Sequence, residues 1–210
     1  MHGLIHIILK DLVVSKFGEE KWAAIGAKLG LAESGDGPIL EEKQYPDETT
    51  VAGIATTAEV LGVSFEDALK VYGAHFVHFV YKGGHLQMLH SMGDSLEEFL
   101  KNVNHLHYTL ERTYREANFP LFEITEAEDA GDTTASKVTC LSYKSSRGTV
   151  LGPLVEGILP ELAKVLHNQA VDMKKHEKPE EGYNVSWTLT TSALPVEEGA
   201  AATTAGEGEG

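Results

Sequence analysis

The chain has a single cysteine, Cys140, in 210 residues. One thiol rules out an intramolecular disulfide framework and a cysteine-rich zinc ribbon, and it fits a reducing compartment. Basic residues are also scarce. Lys and Arg number 17 against 32 Asp and Glu, giving a formal net charge of −15. Such a surface repels phosphate backbones and anionic headgroups, which excludes a general nucleic-acid or anionic-membrane binder. No run of about 18 apolar residues occurs, so no membrane span is expected. The opening MHGLIHIILKDLVV lacks a basic start, and Lys10 and Asp11 interrupt its apolar run. It therefore reads as a helix of the mature domain and not as a signal sequence. There is no internal repeat.

With 42% hydrophobic residues, the chain can build one well-cored domain with an appendage. The dominant stretch is Asp94 to Pro120. Leu96, Phe99, Leu100, Val103, Leu106, Leu110 and Tyr114 recur there at spacings of three and four, the stripe of a long amphipathic helix. Asp94 and Glu97 form its expected capping pair, and Pro120 lies beyond its end. Helical patterns also cover residues 3 to 17 and 19 to 29. Thr49 or Thr50 is expected to cap a helix running to Val60, and Ser64 with Asp67 to cap the next, which runs to about Val80 and is broken by Gly83–Gly84. A short extended piece is expected at Ile39–Leu40. After Pro120 the texture changes. Strands are expected at Leu121–Glu126 and Lys137–Tyr143, with a turn at 127–135 between them. A helix follows from Pro153 to Leu166, kinked at Pro160, and then a hairpin of Val171–Lys175 and Tyr183–Thr190. Residues 191–210 are Gly/Ala-rich and acidic and read as a disordered tail or a truncated linker. The layout is α+β: a helical first half and a mixed second half sharing one interior.

Two features carry chemistry. His107 follows Leu106 and is one turn after Val103, so its imidazole turns toward the apolar side, whereas His105 faces water. A lone imidazole aimed into a core is either a satisfied core histidine or a ligand to something buried. The second feature is Tyr143, Ser145 and Arg147, at i, i+2 and i+4. On an extended chain these point the same way and offer two hydroxyls and a guanidinium to one or two carboxylates. The plain alternative is a polar strand end facing solvent.

These residues resemble those of the H-NOX (heme NO/O2-binding) domain over about residues 1 to 190, and in particular the sensor domain of soluble guanylate cyclase β subunits. The opening Met1-His2-Gly3-Leu4, the segment Phe99-Leu100-Lys101-Asn102-Val103-Asn104-His105-Leu106-His107, Pro120 and the Tyr143/Ser145/Arg147 pattern carry the likeness. The resemblance implies an H-NOX fold, with heme b buried between a helical N-terminal subdomain and a C-terminal subdomain of antiparallel strands and helices. It implies His107 as the axial iron ligand and Tyr143, Ser145 and Arg147 as partners of the heme propionates. Pro120, Ile5, Leu9, Phe76, Leu154, Leu106 and Val103 would line the pocket, with Pro120 pressing on the porphyrin. O2-binding members carry a distal tyrosine. Aligned on Gly157, that position is Leu154, or Gly152 or Pro153 if the spacing shifts, and Leu9 and Phe76 are its distal neighbours. None is a hydrogen-bond donor, so an NO-selective pocket that excludes O2 is expected, with CO a further possible ligand. NO would weaken the iron–histidine bond and free the His107 helix to signal.

The expected role is that of a cytoplasmic NO sensor. It would not be an enzyme by itself but the regulatory part of a guanylate cyclase, acting on cyclase domains of the same longer chain or on a partner subunit. Two other readings remain open. One is an O2-binding or redox heme protein, in which His75 or His78 supplies a second axial ligand or acid–base group. Another is an apolar-ligand carrier without heme. A cysteine hydrolase finds no support, because nothing in the sequence puts a histidine beside Cys140.

Overall fold

The apolar stripes of the first half become helices and those of the second half mostly strands. The computed structural model describes residues 1–29, 39, 43–114, 117–126 and 136–195. In chain order come α1 (Gly3–Phe17), α2 (Glu19–Lys28), α3 (Asp47–Leu61) and α4 (Phe65–Val80). A wide turn at Tyr81–His85, with Gly84 at φ 88°, leads into the short α5 (Leu86–His90). Next come α6 (Leu96–Thr113), β1 (Leu121–Glu126), β2 (Ser136–Lys144), α7 (Gly152–His167), β3 (Gln169–Lys175) and β4 (Val185–Ala193). The fold class is α+β, as expected. Leu40, the turn at 127–135 and the tail from residue 196 lie outside the described residues. β4 continues past the boundary expected at residue 190, because Ala193 pairs with Gln169 of β3.

The caps differ instructively from the sequence reading. Ser64 caps α4 as expected, accepting from Asp67 N at 3.0 Å. On α6 the capping pair sits one residue later. Ser95 accepts from Glu98 N at 3.3 Å, and the Glu98 carboxylate reaches back to Asp94 N at 2.8 Å. Glu97 is instead held by Lys101 at 2.6 Å and by Lys137. α3 starts at Asp47, with Pro46 at its cap and Asp47 and Glu48 placing negative charge in its first turn. Thr49 and Thr50 are therefore inside the helix and not capping it; Thr50 is buried and meets His6 Nε2 at 2.9 Å.

The strands form one antiparallel sheet of order β1-β2-β4-β3. Alternation divides its faces. Leu141, Tyr143, Val185, Trp187 and Leu189 face the helices and are buried with Phe99, Val103 and Leu159. Cys140, Ser142, Ser186 and Thr188 share the opposite face.

The interior is not one core. One cluster joins the sheet to α6 and α7, and a second joins Ile8, Leu9 and Leu12 of α1 to Ile54, Leu69, Tyr72 and Leu151. α4 and α7 serve both clusters and cross in backbone contact. A Cβ on Gly157 would stand 2.0 Å from Lys70 O, and one on Gly73 2.4 Å from Leu154 O. Only glycine fits such an approach. Pro160 lies inside α7 without ending it.

Candidate functional site

α6 presents His107 where its stripe gives out. The N-terminal part of the helix is pinned by buried Leu96, Phe99, Leu100 and Val103, whereas Leu106 and His107 are half-buried and Tyr108 is 59% exposed. The segment before β1 returns alongside. There His107 Nδ1–H donates to Pro120 O at 2.9 Å, and the ring stacks on Phe119 at 5.0 Å between centroids. A carbonyl can only accept, so the proton sits on Nδ1 and Nε2 keeps its lone pair. Burial pushes the imidazole below its ordinary pKa, against the Pro120 hydrogen bond and the nearby Glu111 charge, which raise it. The ring is therefore neutral at pH 7. Two side-chain ties hold α6 to β1. Asn104 Nδ2 donates to Phe122 O at 2.6 Å, and Phe122 N donates to Asn104 Oδ1 at 2.9 Å.

Tyr143, Ser145 and Arg147 converge, but not along a strand. β2 ends at Lys144, so Ser145 and Arg147 belong to the following turn and the extended-chain geometry expected of them does not apply. Asn184 Oδ1 accepts from Ser145 N at 2.6 Å, and Ser145 Oγ accepts from Arg147 N at 3.2 Å. Tyr143 is buried at the strand end between Phe122 and Trp187. Burial raises its phenol pKa, while the Ser145 hydroxyl and the Arg147 charge work against that rise.

Arg147 has partners that the sequence reading did not anticipate. Its Nε lies 2.7 Å from Asp47 Oδ2, its Nη2 donates to Asp47 Oδ1 at 3.2 Å, and its Nη1 donates to Asn118 O at 2.7 Å. Asp47 also pairs with the Met1 amino group at 2.9 Å. Burial pushes the Asp47 carboxyl up, but Arg147 and the amino terminus outweigh it and hold the pKa below its ordinary value. An acid at the foot of α3 gave no signal in the sequence beyond its place before a helix.

The apolar candidates fall into two groups. Ile5, Leu9, Phe76 and Leu154 belong to the N-terminal cluster, and Val103 and Leu106 to the sheet cluster. His75 and His78 are tied elsewhere, to Asp11 at 2.7 Å and Glu161 at 2.8 Å. Tyr72 is fully buried in the cluster that holds Leu9, and its hydroxyl donates to Ile5 O at 2.8 Å.

The helical part and the antiparallel sheet part together have the H-NOX fold. An unliganded Fe(II) H-NOX protein from K. algicida shares the fold with a TM-score of 0.71 at 22% identity, over 91% of this chain and 97% of that one. An H-NOX protein from S. oneidensis in the Fe(II)NO state gives 0.72 at 19% identity, over 90% and 98%. The family model described as Haem-NO-binding matches residues 2–175, and the chain belongs to that family. Curated relatives include soluble guanylate cyclase gcy-35 of Caenorhabditis elegans, 28% identical over 86% of this chain and 25% of that protein. Guanylate cyclase soluble subunit beta-2 of Rattus norvegicus is 33% identical over 55% of this chain and 16% of that protein. The chain thus spans about a quarter of the length of the first of these.

Proposed function

We propose that this domain holds ferrous heme b between its two apolar clusters and senses NO there, with His107 as the axial ligand. The observation that carries the reading is the His107–Pro120 hydrogen bond, which leaves a neutral Nε2 lone pair free to bind a metal, oriented by a fixed Nδ1 partner. When bound, ferrous heme supplies an iron with an open position for NO or CO. The cradle suits the two propionates. A guanidinium has five N–H donors; Asp47 and Asn118 accept from two of them, with Nε in ion-pair contact with Asp47. Arg147 can thus take a second carboxylate without releasing Asp47, with the Ser145 and Tyr143 hydroxyls beside it. Leu9, Phe76 and Leu154 offer no donor, and the Tyr72 hydroxyl is spent on Ile5 O, which supports a pocket that holds O2 poorly.

α6 is the element that would report the ligand. Its N-terminal part is anchored by fully buried residues in the sheet cluster, whereas beyond Val103 it is held by half-buried Leu106 and the Asn104 and His107 ties. A small force on His107 therefore biases the half that is least held. No helix among the described residues is long and apolar enough to cross a membrane. Together with relatives named as soluble guanylate cyclases, this supports a cytoplasmic regulatory domain, with no activity of its own, that controls a guanylate cyclase in the same longer chain or in a partner subunit.

Absorption spectra of the reduced protein in air and under NO test the reading, beside His107→Gly with and without imidazole. The expected result is a ferrous spectrum unchanged by air and shifted by NO, with heme lost in the variant and restored by imidazole. Arg147→Ala should weaken heme binding about 10–100-fold, from loss of a charge-assisted contact. No heme uptake would overturn the proposal. A stable oxy spectrum that disappears in Tyr72→Phe would move the function to O2 binding.

A further inference from the structure

The sheet face opposite the helices carries a second constellation. Alternation puts Cys140 and Thr188 directly across from each other on β2 and β4, on the same face as Ser142 and Ser186. The loop after β3 folds over that face. His176 N donates to Ser186 O at 2.9 Å, Glu180 N donates to Ser186 Oγ at 3.0 Å, and Ser142 and Ser186 are buried beneath with their hydroxyls 3.0 Å apart. This brings His176 and Glu180 to the cysteine that appeared to lack a histidine partner. The Cys140 Sγ, one His176 ring nitrogen and one Glu180 carboxylate oxygen lie within 4.8 Å of one another. The His176 ring is oriented by Thr188, whose Oγ1 is 2.9 Å from Nε2.

We propose that Cys140, His176 and Glu180 form a Zn(II) site, separate from the His107 pocket and independent of it. One sulfur, one imidazole nitrogen and one carboxylate oxygen suit borderline-soft Zn(II) better than Mg(II) or Ca(II), which select all-oxygen sites. In tetrahedral coordination such ligand atoms stand roughly 3.5 Å apart. Closing from the present spacing asks for about an ångström of movement, which the exposed Glu180 side chain can supply. Water completes the fourth position. Zn(II) displaces the Cys140 thiol proton to solvent. Burial and the Glu180 charge hold that thiol above its ordinary pKa, so without metal it is neutral at pH 7. The Thr188 hydroxyl supplies the outer partner that metal-bound imidazoles generally have. Bound metal would staple the loop between β3 and β4 onto β2, three residues from Tyr143.

The test uses the full chain, stripped with a chelator and titrated with Zn(II), with metal content by elemental analysis and zinc K-edge absorption. The expected result is one equivalent, with one sulfur at about 2.3 Å and nitrogen or oxygen neighbours at about 2.0–2.1 Å. Cys140→Ser should lose the sulfur shell, and Glu180→Gln should weaken binding with the fold intact. Thr188→Val, which leaves every ligand in place, should weaken it about 10–100-fold. Zinc without a sulfur neighbour, or equal affinity in Cys140→Ser and the parent, would assign the metal to other histidines and overturn the proposal. Failure of one equivalent to bind even at millimolar zinc would overturn it equally.

Discussion

Asn104 offers the sharpest test of how α6 is held. β1 is an edge strand, and the Asn104 amide closes its open side by giving a donor and an acceptor to the same residue, Phe122, at 2.6 and 2.9 Å. A typical net hydrogen bond contributes about 0.5–1.5 kcal/mol, and a partner left unpaired in a half-buried place costs toward the upper end. Asn104→Ala removes both bonds and leaves the Phe122 peptide groups partly shielded from water, so the expected loss is about 2 kcal/mol. For a domain of this size that lowers Tm by about 4–8 °C. Asn104→Asp keeps an acceptor for Phe122 N–H but sets an oxygen against the Phe122 carbonyl, and should destabilise at least as much. Urea unfolding of the parent and both variants, with an unchanged m-value, measures the effect. His107 lies three residues further along α6, so its Nδ1 proton should also exchange faster with solvent in Asn104→Ala. A variant within about 0.5 kcal/mol of the parent, the scatter of an ordinary surface substitution, would refute the view that this amide clamps the helix to the sheet.

Gly157→Ala puts a methyl group 2.0 Å from the Lys70 carbonyl oxygen, which is backbone and cannot swing aside. Thermal unfolding should show a loss of about 3 kcal/mol, the high end of overpacking. By contrast Gly26→Ala, in the last turn of α2 with nothing within 4 Å, should raise stability by about 0.5–1 kcal/mol. His6 is the clearest pH-sensitive group. Burial, aided by the amino-terminal charge, pulls its pKa from 6.5 to about 4. The folded value lies below the unfolded one, so its contribution is present above pH 6.5 and is lost as pH falls through that window to about 4. The slope is at most about 1.4 kcal/mol per pH unit, reduced by the partial exposure of the ring. His6→Phe should flatten the acid limb of the stability curve; an unchanged limb would remove His6 as its cause.

Much of the fold was legible because burial imposes periodicity. The α6 stripe, the α4 cap at Ser64 and the alternation in β2 all follow from which residues must leave water, and each lies where the spacing places it. The misplaced features are those in which two local solutions compete and a distant residue decides. Asp94–Glu97 and Ser95–Glu98 are equally good capping pairs on paper. Lys101 and, from β2, Lys137 claim Glu97, and so the second pair caps. Thr49 and Thr50 look like caps until the helix is seen to start at Asp47, whose carboxylate is fixed by Arg147, far along the chain.

The site divides along the same line. His107 was legible because an imidazole at the margin of an apolar stripe is a local anomaly, and local patterns show which way it turns. Tyr143, Ser145 and Arg147 were legible as a set, but the stated reason, alternation on one strand, fails at Lys144. The turn achieves the convergence through Asn184 and the Ser145 hydroxyl. Partners drawn from other elements left no trace: the Pro120 carbonyl for His107, Asp47 for Arg147, and His176 for Cys140. Each of these depends on strand register or on a helix start, quantities that side-chain types alone leave open. A shift of β2 by one residue would turn Cys140 inward and Tyr143 outward, dissolving the outer constellation and the arginine cradle together. The buried pair Ser142 and Ser186, 3.0 Å apart on the outer face, belongs to that same register. The register that buries Leu141, Tyr143 and Trp187 against the helices thus also builds both candidate sites, one on each face of the sheet.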